Sequence, residues 1–350
     1  MPPFYDEPRH RVDEFQRVPG LALALKAVVD SDRTSGRFLL TGSVTMPAAQ
    51  PAGDSLAGRV VGTRVFGFSQ GERAGRRDDF VRAVLRGALE AQYRSGMGRA
   101  DYVDLLAAGS MPEACRLPQR YRADWLESYV SRLLGRDLRE FSRLSDPRRL
   151  RSLLAGLAAA QGSETVVARL GGAVNLSAST TTSYMELLHA LHLVERLPPW
   201  TPNLLKREVG RSKYLLTDSA LAMRLARTSP DTLKDLVRGG ALGGLLEAFV
   251  AAELMRQSTW CEERFTISHY RSPDGREIDL ILELDDGRVI AVEVKAASSA
   301  SAADARHLRW LEGRIGDRLT AGVVFTTDDR SRHLGGRLWA VPVAALWELG

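Results

Sequence analysis

Cysteine is almost absent from this chain of 350 residues, which contains only Cys115 and Cys261. Two cysteines so far apart exclude a disulfide framework and lack the spacing of a zinc site. Few cysteines are typical of proteins in a reducing compartment. The first ten residues also lack a basic and then apolar leader, so a cytoplasmic location is expected.

Long apolar runs are absent as well, because none reaches the roughly 18 residues that a membrane-spanning helix needs. We therefore expect no membrane association. Hydrophobic residues make up 44% and charged residues 26% of the chain, as in ordinary globular proteins. A chain of this length predicts two or three domains. The mild net charge of +5 permits nucleic acid as a partner without requiring it.

The chain contains no Gly-Lys pair, and therefore no Gly-x-x-x-x-Gly-Lys-Ser/Thr loop. That loop cradles the phosphates of a nucleotide with backbone N–H groups and a lysine. This polypeptide alone is therefore not expected to bind ATP tightly.

Residues 274–295, DGREIDLILELDDGRVIAVEVK, predict two strands joined by a tight turn. Successive side chains of a strand point to opposite faces, so Glu293 and Lys295 share a face and Asp279 is separated from its apolar neighbours. We therefore expect two carboxylates and an ammonium to meet at one edge of a small sheet.

Asp279 and Glu293 would supply two hard oxygen ligands, which suit a magnesium ion that keeps several waters. Lys295 beside the ion would orient or help deprotonate an attacking water. The alternative is a solvated hairpin whose charges pair across strands for roughly a few tenths of a kcal/mol. The residues alone leave both interpretations open.

Asp279, followed fourteen residues later by Glu293-x-Lys295, resembles the PD-(D/E)XK motif of restriction-endonuclease-like domains. The resemblance implies that Asp279 and Glu293 bind the metal and that Lys295 assists the water. It also implies that Glu247, on a preceding helix, completes the catalytic set. The surrounding patterns predict the αβββαβ order of such domains, with a helix at 231–257, a strand at 265–270, the hairpin, a helix at 302–313 and strands at 321–326 and 338–343.

The first segment places Asp13 and Glu14 before a helical pattern, and residues 37–43 predict a buried strand that contains Thr41 and Ser43. This order resembles the middle of an AAA-type ATPase core. The resemblance implies that Asp13 holds magnesium, Glu14 activates water, and Thr41 and Ser43 lie near the γ-phosphate. The alternative is an Asp-Glu cap before a surface helix. The proline-rich start replaces the strand expected before Asp13, so we expect either a truncated core or a true start farther upstream.

A short helix is predicted at 164–170, and Gly171 and Gly172 predict a turn after it. A second helix is expected to start in the hydroxyl-rich stretch 177–182, so the spacing is that of a helix-turn-helix. Strands at 194–197 and 213–218 would form a wing, so this part resembles a winged helix. It would either contact DNA phosphates and grooves or serve only in domain packing. The predicted nucleic-acid contacts are Ser179, Thr180, Lys206, Arg207 and Lys213.

The remaining middle part predicts a strand at 58–69, helices at 78–93 and 101–108, and an amphipathic helix at 120–144. Arginines in and after the last helix form a basic cluster. This cluster is either a solvated face or a stripe that contacts phosphates.

The sequence thus predicts a multidomain α/β protein that resembles AAA-type ATPases with a winged helix and a C-terminal domain of unknown function. The expected parts are a truncated AAA-type α/β core remnant at 1–75, a helical lid or linker at 76–150, a winged helix at 151–225 and a restriction-endonuclease-like domain at 226–350. The resemblance implies a nucleotide-driven protein associated with nucleic acid.

Three functions stay open at this stage. The first is a magnesium-dependent nuclease, and the second is a non-catalytic DNA-binding or protein-binding chain with a degenerate nuclease-like fold. The third is an ATPase that works only if the missing phosphate-binding part is supplied. ATP is implied by the family but is not expected to bind this chain, and the sequence predicts no oligomeric state.

Because the phosphate-binding loop is absent, adding ATP and magnesium should leave the melting temperature of the purified chain unchanged. A ligand stabilises a fold only when it binds the folded state. The check is a thermal unfolding scan with and without the nucleotide. A clear upward shift would contradict this interpretation of the first segment.

Overall fold

A computed structural model describes residues 10–18, 20–43, 56–137, 146–201, 210–237 and 239–349. The protein is a multidomain α/β protein, as the sequence predicts. It divides into two compact units. The first contains the residues up to Arg64 together with Ser183–Val194, and the second contains Val65–Thr182 and the chain from Glu195 onward.

The first unit contains a short parallel pair of strands, β1 (His10–Val12) and β2 (Phe38–Leu40), in which His10 lies opposite Phe38. Helix α1 (Leu21–Ser31) connects them. Ala22 and Leu25 of the helix form a small core with Phe15 and Leu56.

The prediction of a strand at 58–69 is wrong. Residues 56–59 form a turn and residues 60–68 have no regular structure. Val61 and Val65 are 92% and 90% exposed. Alternation of apolar and polar residues is not sufficient for a strand, which also needs a neighbouring strand to complete its hydrogen bonds.

The second unit begins with short helices: α2 (Gln70–Arg73), α3 (Phe80–Leu85), α4 (Arg99–Ala108), α5 (Pro112–Arg116) and α6 (Gln119–Arg132). The helix predicted at 78–93 is shorter than expected, because Gly87 follows α3 with a φ of 75° that ends the helix. The helix predicted at 120–144 ends at Arg132 and continues as one π-helical turn, Leu133–Asp137.

The part for which the sequence predicts a winged helix contains α7 (Pro147–Ala159), α8 (Val167–Ala173), α9 (Ala178–Ala190) and two short strands, β3 (Val194–Leu197) and β4 (Lys213–Leu216). Helix α8 runs through Gly171, where the sequence predicts a turn. A Cβ at Gly171 would lie 1.9 Å from Thr181 Oγ1, so this glycine permits close packing of α8 against the start of α9. The turn lies at residues 174–175, after the end of α8, where Asn175 has a φ of 55°.

The C-terminal part contains α10 (Ser219–Leu225), α11 (Pro230–Lys234), α12 (Leu242–Gln257), α13 (Arg306–Ile315) and α14 (Ala345–Glu348). The predicted helix at 231–257 is thus divided into α11 and α12. A short 3-10 turn, Gly239–Ala241, lies between them. Glycine favours such a break because it weakens a continuous helix.

A six-stranded sheet has the order β5-β6-β7-β8-β10-β9. The first three strands are antiparallel neighbours, β8 runs parallel to β7, and β10 runs parallel to β8. Strand β9 is an edge strand that the sequence patterns missed. The strands are β5 (Phe265–Arg271), β6 (Glu277–Leu284), β7 (Val289–Lys295), β8 (Leu319–Thr326), β9 (Arg332–Gly335) and β10 (Leu338–Pro342).

Helix α12 is buried on nearly all sides, and its polar side chains bond the loops packed around it. Glu253 accepts hydrogen bonds from Gln70 N at 2.8 Å and Arg256 Nη1 at 2.9 Å. Arg256 also donates to the Gly67 and Thr217 carbonyls. Gln257 accepts from Phe80 N at 2.8 Å. Buried polar groups must be satisfied in this way, so α12 fixes these loops.

Burial raises the pKa of Glu253 to about 6 from 4.5, because the charge of Arg256 only partly opposes it. The folded state therefore keeps its proton to a higher pH than the unfolded chain. The stability of the wild type relative to Glu253→Gln should fall by about 2 kcal/mol as the pH rises through this interval. Urea unfolding of both proteins at several pH values measures the difference. Parallel stability profiles would contradict the prediction.

Candidate functional site

The site is built on the paired strands β6 and β7, in which Leu280 lies opposite Val292. Continuing this register by one pair places Asp279 opposite Glu293, with both side chains on the same face of the sheet. Lys295 shares that face, two residues beyond Glu293. Asp279 and Glu293 are 8% and 4% exposed, so the two carboxylates adjoin one another with little access to water.

Lys213, the first residue of β4, reaches this carboxylate cluster. Its side chain is buried, and Nζ lies 2.8 Å from Glu247 Oε1 and 2.9 Å from Glu277 Oε1. Asp279 Oδ1 is 3.9 Å from the same nitrogen. Three carboxylates from helix α12 and strand β6 therefore surround one ammonium.

The other oxygens of the cluster are held separately. Asp279 Oδ2 accepts a hydrogen bond from Val294 N at 2.8 Å. Lys295 Nζ donates to Glu293 Oε2 at 2.8 Å. The second oxygen of Glu293, Oε1, is buried and has no hydrogen-bond partner among the described residues. Asp279 and Glu293 are thus fixed by different donors.

Burial raises the pKa of Glu247 to about 8, with a further increase from the charge of Asp279 and opposition from Lys213. Burial likewise raises the pKa of Glu293 to about 8, with Asp279 again adding to the effect and Lys295 opposing it. Both carboxyl groups are therefore harder to ionise than a free glutamic acid, and the neighbouring lysines favour their ionised form.

Burial alone would lower the pKa of Lys213, but the charges of Glu247, Asp279 and Glu277 outweigh it and raise this pKa well above its usual value. For Glu277, burial acts to raise the pKa, but the charge of Lys213 and its hydrogen bond lower it overall. The ammonium is therefore charged at neutral pH and stabilises the ionised form of its neighbour.

His269 of β5 borders the cluster and is fully buried. Its Nε2 lies 3.1 Å from the carbonyl oxygen of Arg211, and this contact fixes the orientation of the ring. Arg211 lies two residues before Lys213 in the chain. Burial, together with the charge of Lys213, lowers the pKa of His269 to about 4, so the ring is neutral at pH 7.

Magnesium binding at Asp279 and Glu293 stays a prediction. No three carboxylate, imidazole or thiol side chains in that part of the chain are placed to hold one ion. Magnesium requires ligand oxygens at about 2.0–2.1 Å. Here the carboxylates converge on the ammonium of Lys213, whose positive charge would repel a divalent cation. The lysine is the cation that this cluster holds.

In the first unit, Asp13 follows β1 and Thr41 follows β2. Thr41 Oγ1 donates to Asp13 Oδ1, so these two predicted nucleotide-site residues are in contact. Glu14 has a left-handed φ of 51° and lies 3.4 Å from Arg17 Nε. Ser43 is exposed.

The predicted nucleic-acid contacts have different outcomes. Ser179 and Thr180 lie at the start of α9, where the Ser177 hydroxyl contacts their oxygens at 3.1 and 2.8 Å. Lys206 and Arg207 lie outside the described residues. Lys213 is 2% exposed and donates a hydrogen bond to the carboxylate of Glu247. The prediction that Lys213 contacts DNA phosphates from an exposed wing is therefore wrong.

Glu277 and Lys213 are the site residues that sequence reasoning missed in their observed roles. Glu277 precedes Asp279 by two residues on the same strand, so alternation alone could have placed it on the same face. Nothing near Lys213 in the sequence indicated that its side chain would reach Glu247.

Comparisons with known proteins identify three matched regions. Residues 5–74 match the AAA domain, residues 99–232 match a domain of unknown function (DUF8612), and residues 242–346 match another (DUF4143). These matches support an AAA-like family for this chain. They leave the roles of the carboxylate cluster open.

Two curated relatives are the uncharacterized protein Rv2008c of Mycobacterium tuberculosis and the uncharacterized protein Mb2031c of Mycobacterium bovis. Each is 27% identical to this chain over 290 residues, which is 83% of this chain. The chain spans 59% of the length of each relative. No solved structure gives a significant match. Within the described residues, no helix has the length and apolar character to cross a membrane.

Replacing Lys213 by alanine should lower the free energy of unfolding by about 3–5 kcal/mol, because buried carboxylates lose their counter-cation. Urea unfolding at neutral pH measures this change. Lys234→Ala is the matched control. Lys234 lies 2.6 Å from Asp104 in a partly exposed ion pair, and its removal should cost less than about 1 kcal/mol. Equal effects of the two substitutions would contradict the prediction.

Proposed function

We propose that this chain works as part of an AAA-type ATPase, that the part containing α7–α9 binds DNA, and that the C-terminal part does not cut it. The C-terminal part would have a restriction-endonuclease-like fold in which the former catalytic carboxylates form a structural ion cluster. Of the functions considered, this is the non-catalytic binding function, placed within the AAA-like family.

The observation that carries the proposal is the position of the Lys213 ammonium, 2.8 Å from Glu247 and 2.9 Å from Glu277. Cleavage assisted by magnesium would require the ion to contact Asp279 and Glu293 together with a substrate phosphate. A buried ammonium between the carboxylates opposes this step in the described arrangement.

The order of elements supports the fold assignment. Helix α12 precedes the antiparallel strands β5, β6 and β7, and helix α13 then leads to β8, which is parallel to β7. This is the αβββαβ order that the motif predicts. A nuclease-like fold can be kept where the chemistry is not, because function depends on the site and not on the fold.

DNA binding is supported by the part that contains α7, α8 and the start of α9. Arg149 Nη1 donates to the Asn175 carbonyl at 3.0 Å, which ties α7 to the turn before α9. Arg148 and Arg149 are exposed, and hydroxyl groups surround the first turn of α9. Cations and hydroxyl groups of this kind contact phosphates and fix the register of a helix on duplex DNA.

With magnesium or manganese, the wild-type protein should leave supercoiled plasmid intact, and Asp279→Ala should give the same result.

Fluorescence anisotropy should show binding to duplex DNA that weakens steeply as the salt concentration rises. The double substitution Arg148→Ala/Arg149→Ala should weaken binding by roughly tenfold, because it removes two phosphate contacts. Arg314→Ala is the matched control, since Arg314 is exposed on α13.

Cleavage by the wild type that is lost in Asp279→Ala would contradict the proposal and support a magnesium-dependent nuclease. Binding that does not respond to salt would contradict the DNA-binding part and favour a role of α7–α9 in packing alone.

A further inference from the structure

An open groove lies between helices α6, α7 and α10 of the second unit. Its volume is about 780 Å³, which is within the range of pockets that bind ligands. Buried apolar side chains form the floor, namely Leu126, Ala220, Met223 and Leu225. None of the residues that line the groove belongs to the carboxylate cluster around Lys213.

The rim of the groove has more cations than anions. Arg151 of α7 and Arg224 of α10 share the carboxylate of Glu127 on α6, at 2.6 and 3.4 Å. Arg122 donates to three backbone carbonyl oxygens. Arg227 is exposed in the turn after α10 and has no ion pair within the described part of the chain. The groove therefore has four guanidinium groups and one carboxylate.

We propose that this groove, the arginine groove, binds an acidic amphipathic helix of a partner protein. The helix would place an apolar stripe on the floor and carboxylates against Arg151, Arg224 and Arg227. A carboxylate can bind Arg227 without breaking an existing ion pair. Binding of this partner would depend neither on DNA nor on the carboxylate cluster.

The walls of the arginine groove favour a helical ligand. They belong to α4, α6, α7 and α10 and to the turn after α10. A peptide that binds in an extended conformation needs a free strand edge, and no strand lines the groove among the described residues. A helix satisfies its own backbone groups and needs only a complementary surface. Small side chains at Ala123, Ser152 and Ala155 leave room for it.

The floor distinguishes a protein partner from a nucleic acid. Phosphates would match the charge of the rim but would leave the apolar floor without a contact. None of the lining residues that the structure describes is aromatic, so unpaired bases would have no side chain to stack on. An acidic amphipathic helix meets both requirements, because its apolar stripe contacts the floor and its carboxylates pair with guanidinium groups.

Fluorescence anisotropy with the full chain tests the groove. The probe is a short labelled peptide with leucine at helical spacing on one face and glutamate on the others. A second peptide of the same charge has serine in place of leucine. The wild type should bind the serine peptide at least roughly tenfold more weakly than the leucine peptide, because the floor gains no apolar contact.

Charge reversal and groove filling test the two parts of the groove separately. Arg227→Glu should weaken binding of the leucine peptide by roughly tenfold. Arg314→Glu is the matched control, since Arg314 is exposed on α13, and it should bind as the wild type does. Ser152→Trp and Ala155→Leu fill the groove from α7 and should each weaken binding by roughly tenfold. Ser152 is exposed, so its replacement should leave the fold intact, as checked by circular dichroism.

Failure of the wild type to bind the leucine peptide would overturn the proposal, and so would equal affinity for the two peptides. Binding that persists in the folded Ser152→Trp variant would overturn it as well. A labelled single-stranded oligonucleotide that displaces the peptide and binds Arg227→Glu more weakly than the wild type would assign the groove to nucleic acid instead. Duplex binding by Arg148 and Arg149 is measured separately, so its failure would contradict the proposed function and leave the peptide comparison unchanged.

Discussion

The physical constraint that organises the C-terminal part is the need to neutralise a buried ammonium. Lys213 enters the interior from β4, and transfer of an isolated charge out of water is very unfavourable. The buried ammonium of Lys213 is stabilised because it forms ion pairs with Glu247 at 2.8 Å and with Glu277 at 2.9 Å. The lysine therefore depends on the sheet and on α12, and these carboxylates depend on the lysine.

Helix α12 connects this cluster to the rest of the second unit. One of its acids, Glu247, faces Lys213, while Glu253 pairs with Arg256 and accepts from the backbone of α2. A helix buried on nearly all sides exposes few polar groups, so each charged side chain requires a specific partner. The carboxylate site and the surrounding loops are thus fixed by the same element.

The first unit and the C-terminal part point to different chemistries. Contact between Thr41 and Asp13 agrees with a polar site at the ends of two parallel strands, and residues 5–74 match the AAA domain. The AAA domain match covers most of that unit, whereas the carboxylate cluster belongs to the second unit. The proposed division of work is an ATPase component, a DNA-binding part at α7–α9 and a C-terminal part whose carboxylates surround Lys213.

The sequence determined what depends on local periodicity. Alternation over 289–295 gave the bounds of β7 and the shared face of Glu293 and Lys295, and the same rule could have added Glu277. It did not determine whether the alternating residues at 58–69 would find a partner strand, and they do not. Only the tertiary structure placed Lys213 among the carboxylates, because a contact across 34 residues of chain, from Lys213 to Glu247, depends on how separate elements pack. Local pattern fixes the face on which a side chain lies, whereas packing decides which charge it meets.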